Sequence, residues 1–127
     1  GVQTCALPIF SENKIDSALL YSNRLFSAGE FNRVSSMVFN KIAIKHAEEG
    51  RSAEALRYWE PAYRSGLTPE FTGWNLFKFY FTMKQDYPKA AYIADYLTGL
   101  GQTVPYRDHS FLKDFPRDSA LFKKSRK

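Results

Sequence analysis

Three pairs of residues share one spacing: Ala18 with Gly29, Ala55 with Gly66, and Ala90 with Gly101 each stand eleven positions apart. The second and third pairs are offset by 35 residues, and their surroundings keep that offset. Phe39-Asn40 maps onto Trp74-Asn75, Ile42 onto Phe77, Ile44 onto Phe79 and Glu60 onto Asp95. A fixed period of this size marks a helical-hairpin repeat, in which each pair of helices stacks on its neighbours to bury its apolar side. Such stacks present extended surfaces rather than closed pockets, so the period points to binding rather than catalysis.

The local patterns agree with helices. Ser11, Asn13 and Asp16 open a helix over 11–28, with Ile15, Leu19, Leu20 and Phe26 as a partly helical apolar pattern and Gly29 as its stop. A second helix is expected over 31–49, where Phe31, Val34, Val38 and Ile42 have the spacing of one buried stripe. Gly50 ends it, because glycine accepts positive φ without steric cost. Ser52 reads as the N-cap of a third helix, with Ala55, Leu56, Trp59, Ala62 and Tyr63 on one face. Pro61 removes a backbone bond there and is expected to kink or shorten it. Gly66-Leu67-Thr68-Pro69 is a stop and a fresh start, with Thr68 as cap and Pro69 in the first helical position.

The fourth helix, over 70–84, is rich in aromatics: Phe71, Trp74, Phe77, Phe79, Tyr80 and Phe81 fall on more than one face. It is expected to be covered on both sides. An Asp86-Tyr87-Pro88 turn leads to a fifth helix over 89–100, whose Ala90, Ala91 and Ala94 let backbones approach closely. Short helices over 109–114 and 118–124, separated by Pro116, complete the pattern. No alternating β pattern occurs, so the expected fold is all-α.

The N-terminal residues 1–9, GVQTCALPI, resemble the translation of a sequencing-adapter oligonucleotide. Native sequence is then expected to start near Phe10 and to continue upstream, which sets 1–9 apart from fold reasoning. The segment has no basic residue before its short apolar part, unlike a signal peptide. Setting it aside removes Cys5, the one cysteine. No disulfide, thiolate metal site or cysteine nucleophile is then available from 10–127, and the compartment stays open.

One domain is the natural count for this length. Apolar content of 44% is that of a globular chain, and no run approaches the roughly 18 apolar residues of a membrane span. The net charge of +5 is concentrated at the end: from Arg107 on, seven Lys or Arg face three Asp. The terminal Lys123-Lys124-Ser125-Arg126-Lys127 suits a solvated end, or contact with nucleic acid or an acidic partner. The expected organisation is a helical-repeat domain over 10–104 and a basic capping segment over 105–127.

The stretch from Phe39 to Leu67 resembles a tetratricopeptide repeat. Phe39, Ile42 and Ala43 match the aromatic, apolar and small positions of that family's first helix. Gly50, Ala55, Trp59 and Ala62 match its turn and second helix, and Pro69 its closing proline, two residues late. The next unit keeps Trp74, Phe77, Asp86-Tyr87 and Ala90. It departs at Lys78, Ala94 and Leu97. The 35-residue period is similar to that of the pentatricopeptide class, as are the Phe39-Asn40 and Trp74-Asn75 pairs and the Gly66-to-Pro69 exit. In that class small polar residues follow the Asn and read bases, whereas Lys41 and Leu76 stand here, and Leu76 cannot hydrogen-bond a base edge.

The resemblance implies antiparallel helix-hairpin repeats stacked in a short right-handed superhelix. In that arrangement Asn40 and Asn75 face the inner groove, with Ile44 and Phe79 one turn onward. An amide both donates and accepts, which suits the backbone of an extended peptide. The alternative is that each Asn bonds locally between helices. Lys41, Lys45, Lys78 and Lys84 give a positive rim or a solvated face. His46 and His109 have no metal-ligand spacing, and His46 falls where a repeat places a packed aromatic. Paired carboxylates, a phosphate loop and a nucleophile elbow are missing from the sequence.

The expectation is a non-catalytic protein-interaction scaffold with no cofactor, no metal and no membrane contact, binding a peptide or helix through Asn40, Lys41, Ile44, Lys45, Asn75 and Phe79. The alternative is an RNA-binding repeat using Lys41, Lys45 and the C-terminal cluster on phosphates. A third reading makes the chain an accessory arm of an enzyme encoded upstream.

Overall fold

The computed structural model describes residues 29–122 together with Leu20, Arg24 and Ser27. Among these residues the regular structure is entirely helical. The elements are α1 (Arg33–Glu48), α2 (Ser52–Ser65), α3 (Pro69–Lys78), a π-helical turn (Phe79–Met83), α4 (Tyr87–Gly99) and α5 (Tyr106–Leu112). The segment 1–9, most of the helix expected over 11–28, and the basic cluster 123–127 lie outside the described residues. Leu20, Arg24 and Ser27, within 11–28, are helical. The chain divides into two compact units, one up to Thr68 and one from Pro69.

In the first unit α1 starts at Asn32, whose side chain accepts from the Ser35 amide at 3.0 Å. This satisfies one of the donors a helix start leaves open. Gly50, at φ +81°, lets the chain reverse into α2. Phe39 stands edge-on to Tyr58 at 5.4 Å, and His46 stacks on Tyr58. Arg33 at the start of α1 donates to the Leu67 carbonyl past the end of α2, and Arg51 before α2 donates to His46 near the end of α1, so the helices pair antiparallel. The buried side of α1 is not the stripe read from the sequence. Val34 is 70% exposed and Val38 half-buried, whereas Ser35, Ser36, Phe39, Asn40, Ile42, Ala43 and Ala47 are buried. Buried polar groups are tolerated where they are paired. The Ser36 and Thr68 hydroxyls meet at 2.6 Å, and Asn40 donates to the Ser36 carbonyl at 3.0 Å.

Ser52 is the first residue of α2 rather than its cap; Arg51 holds the cap position and makes no side-chain capping bond. Ala55, Trp59 and Ala62 are buried as expected, joined by Tyr58, with Leu56 and Tyr63 half-buried. Pro61 does not end the helix, which runs on to Ser65 and closes on Gly66 at φ +67°. A proline deprives the carbonyl four residues back of its helical donor, here that of the exposed Arg57. A carbonyl on an exposed residue has water to bond instead.

In the second unit Pro69 opens α3 as expected, but the helix does not stay α-helical to Lys84. From Phe79 it widens into the π turn, after which Gln85 takes a left-handed φ of +53°. Asp86 caps α4 by accepting from the Lys89 amide, with Pro88 in its first turn. The α3–α4 pair is antiparallel: Trp74 Nε1 donates to Gln102 at 2.9 Å, beyond the far end of α4. The close approach lies at Gly73, where a Cβ would stand 2.8 Å from Leu97 Cδ2. A short α5 forms three residues earlier than the helix expected over 109–114. The helix expected from 118 does not form over its described part: residues 116–120 are irregular and 121–122 a turn.

Candidate functional site

On α1, Lys41 is exposed, and Ile44 and Lys45 are half-buried. Met37, Val38 and Val34 continue this outer side toward the start of the helix, which gives a helix flank of apolar groups interleaved with two lysines. Lys45 Nζ meets Glu49 Oε2 at 3.1 Å, one turn on. Arg51 also binds Glu49, and these cations, Lys45 first, hold the Glu49 carboxyl below the usual carboxylate range. Asn40 is 0% exposed, so its amide serves the interior of the unit.

At the end of the hairpin, His46 Nδ1 accepts from Arg51 Nε at 2.9 Å while its ring lies on Tyr58 at 22°. Burial first, and then the Arg51 charge, lower the His46 pKa from 6.5. An imidazole whose lone pair is taken by a guanidinium and whose face is covered by a ring is a packing element.

In the second unit Asn75 is half-buried on α3, Lys78 and Lys84 are exposed, and Phe79 is 1% exposed inside the π turn, edge-on to Tyr80. Phe79 therefore reaches no solvent-facing surface. The structure brings together Lys41, Ile44 and Lys45 on one flank of α1, while Asn40 and Phe79 belong to the interiors of their units.

The sequence reading missed a second constellation, around α4. Residues 113–122 form an irregular strap along it. Arg117 pairs with Asp95 at 2.8 Å, Asp118 pairs with Lys89 at 3.0 Å, and the Asp118 amide donates to the Pro88 carbonyl at 3.1 Å. Lys89 also meets Asp86 at 3.3 Å. Burial works to lower the Lys89 pKa, but the two carboxylates outweigh it and hold the ammonium above its usual 10.5. Tyr80, beneath the strap, makes a long hydrogen bond to the Leu121 carbonyl at 3.5 Å, and burial raises its pKa. Only the proximity of Asp114, Arg117 and Asp118 to a proline-broken end hinted at such contacts, because their partners lie 22 and 29 residues away.

Among the described residues no helix is long and apolar enough to cross a membrane, and no group of three or more His, Cys, Asp or Glu is placed to hold a metal ion. Comparison with protein families, with curated proteins and with solved structures finds no match to this chain.

Proposed function

We propose that the chain is a protein-binding helical-repeat module with two tetratricopeptide-like hairpins, which takes a peptide or helix on the outer flank of α1. The observation that carries this reading is that flank itself. Val34 is 70% exposed on a regular, capped helix, and Met37, Val38 and Ile44 are partly exposed on the same side as Lys41. Contiguous apolar groups left at a surface and interrupted by cations suit a partner that buries apolar side chains and carries acid.

The repeat reading is supported by the second helices. These start 35 residues apart, at Ser52 and Tyr87. Each buried residue of α2 has a buried counterpart 35 positions on: Ala55 and Ala90, Tyr58 and Ile93, Trp59 and Ala94, Ala62 and Leu97. In this proposal Lys41, Ile44 and Lys45 touch the partner, and Asn75 holds the matching place on α3. Asn40 and Phe79 set the helices that present those groups.

Selection of a random dodecapeptide display library against the full chain tests the reading. The enriched peptides are expected to combine acidic with apolar residues. They should lose about tenfold or more in affinity to the Val34→Glu/Lys41→Glu variant, as truncation of a buried anchor does. Enriched peptides that bind that variant unchanged would remove α1 from the site. Single-stranded RNA binding that survives physiological salt and needs Lys41 and Lys45 would favour the pentatricopeptide alternative instead.

A further inference from the structure

Residues 113–122 contain no regular helix, yet they have two distinct sides. Leu121 is buried, and Phe115 and Asp118 are half-buried, while Lys113, Asp114, Pro116, Arg117, Ser119 and Ala120 are exposed. The inner side docks on regular elements. Phe115 packs on Tyr87 at 5.2 Å, at the start of α4. Asp118 takes Lys89 and the Pro88 carbonyl, Arg117 takes Asp95, and Leu121 meets Tyr80 of the π turn. Arg117 Nη1 also donates to the carbonyls of Leu112, Lys113 and Phe115, so this side chain ties the strap both to α4 and to the end of α5.

The character of this attachment matters. Between the strap and α4 one backbone hydrogen bond forms among the described residues, from Asp118 to Pro88. The rest is made on an irregular segment that turns at 113–114 and again at 121–122. Phe115 and the buried Leu121 stand six residues apart with an Arg-Asp pair between them, and the Tyr80 hydroxyl donates to the Leu121 carbonyl. The two ion pairs are partly exposed, with Asp95 48% and Asp118 37% accessible. Pairs of that kind hold weakly and are screened by salt. A surface that takes side chains of an irregular segment of the same molecule, partly through exposed ion pairs, can serve as a peptide-binding surface with its own occupant in place.

We propose that the α4–π surface under residues 113–122 binds an irregular, turn-containing segment of a partner protein. The segment carries two apolar residues six positions apart around an Arg-Asp pair, and the strap is its intramolecular competitor. The proposal takes up the protein-binding reading but uses no residue of α1, so either stands without the other. Partner affinity then depends on the fraction of molecules with the strap lifted.

The test is fluorescence anisotropy of a labelled peptide of residues 114–122 against full-length proteins. Wild type, with the seat occupied, is expected to bind weakly. Arg117→Glu/Asp118→Lys weakens the strap and leaves the seat residues Asp95 and Lys89 intact, so it should bind the peptide about tenfold more tightly. Adding Asp95→Arg to that variant restores an intramolecular pair with Glu and removes the peptide's own partner, so binding should fall back. A peptide with Phe115 and Leu121 replaced by Ser should not bind, and Val34→Glu/Lys41→Glu should leave this binding unchanged. Equal binding by wild type and the double variant, or binding of the Ser-substituted peptide, would overturn the proposal. Hydrogen exchange on the wild type tests it without any substitution: the Asp118 amide, bonded to the Pro88 carbonyl, must exchange faster than the amides inside α4, and equal protection would mean that the strap does not lift.

Discussion

Compared at an offset of 35 residues, α2 and α4 agree in what they bury, whereas α1 and the α3–π helix differ. Every buried residue of α2 finds a buried counterpart on α4. Of the buried residues of α1, only Ile42 does so on the α3–π helix, at Phe77. Asn40 is fully buried where Asn75 is half-buried, and Ile44 is half-buried where Phe79 is sealed. The starts of α2 and α4 lie 35 residues apart, but the rotation of each helix follows what it has to bury. The second helices pack small and apolar groups at matching positions. α1 instead buries Ser35, paired with Asn32, and Ser36 and Asn40, paired with Thr68 and with each other, and α3 buries Thr72, Gly73, Leu76 and Phe77 before widening into a π turn.

The largest effect that sharpens this contrast is at Phe39. It is fully buried between Phe31 and Tyr58, whereas its counterpart Trp74 is half-buried. Phe39→Ala is expected to cost about 3–5 kcal/mol through lost burial and a residual cavity. Trp74→Ala is expected to cost about 2 kcal/mol, since part of its ring is already in water. Urea unfolding followed by circular dichroism gives both values, and equal costs would mean that the first helices are equivalent after all.

A smaller effect separates the two asparagines. Asn40→Ala removes a buried amide from the Ser36 carbonyl and is expected to cost about 1–3 kcal/mol. Asn75→Ala, half-exposed, should stay within about 1 kcal/mol. If instead Asn40→Ala leaves the unfolding midpoint unmoved while peptide binding falls, Asn40 is a contact residue and the rotation described for α1 does not hold in solution.

Much of the helical order was legible because its signals are local. Gly50 and Gly66 end helices at positive φ, Pro69 opens one, and Asp86 caps another. Those features need no knowledge of distant residues. The buried stripe of α1 was misread because Val34 and Val38 have the right spacing and more apolar character than Ser35 and Ser36. The Ser36–Thr68 pair, formed across 32 residues, satisfies the Ser36 hydroxyl inside the unit, while Ser35 is satisfied by the cap residue Asn32. The π turn has no local mark, and the strap depends on partners far along the chain. The same limit holds for the candidate site. Lys41 and Lys45 were read as a rim and Asn40, Ile44, Asn75 and Phe79 as a groove, but the burial of Asn40 and Phe79 is decided by helix rotation, which residue spacing does not encode.

The smallest effect concerns pH, and it divides the units by sign. In the first unit the folded pKa of His46 lies below its unfolded value of 6.5, so protons bind the unfolded chain more readily. That contribution is fully present above pH 6.5 and is lost as pH falls through the folded value. Glu49, also lowered, adds to the loss only nearer its unfolded 4.5. In the second unit Lys89 and Tyr80 are both raised. Their contributions are present below about pH 10, near their unfolded values, and fade as pH rises. The two tryptophans provide one reporter for each unit, Trp59 in α2 and Trp74 in α3. In Trp74→Phe, the Trp59 midpoint in urea should fall between pH 7.5 and 5.5, and His46→Phe, which keeps a ring over Tyr58, should abolish that fall. In Trp59→Phe, the Trp74 midpoint should hold across the same range and drop above about pH 10. A drop at Trp74 on the acid side, or none at Trp59, would mean that His46 and Lys89 do not set the pH responses of their own units.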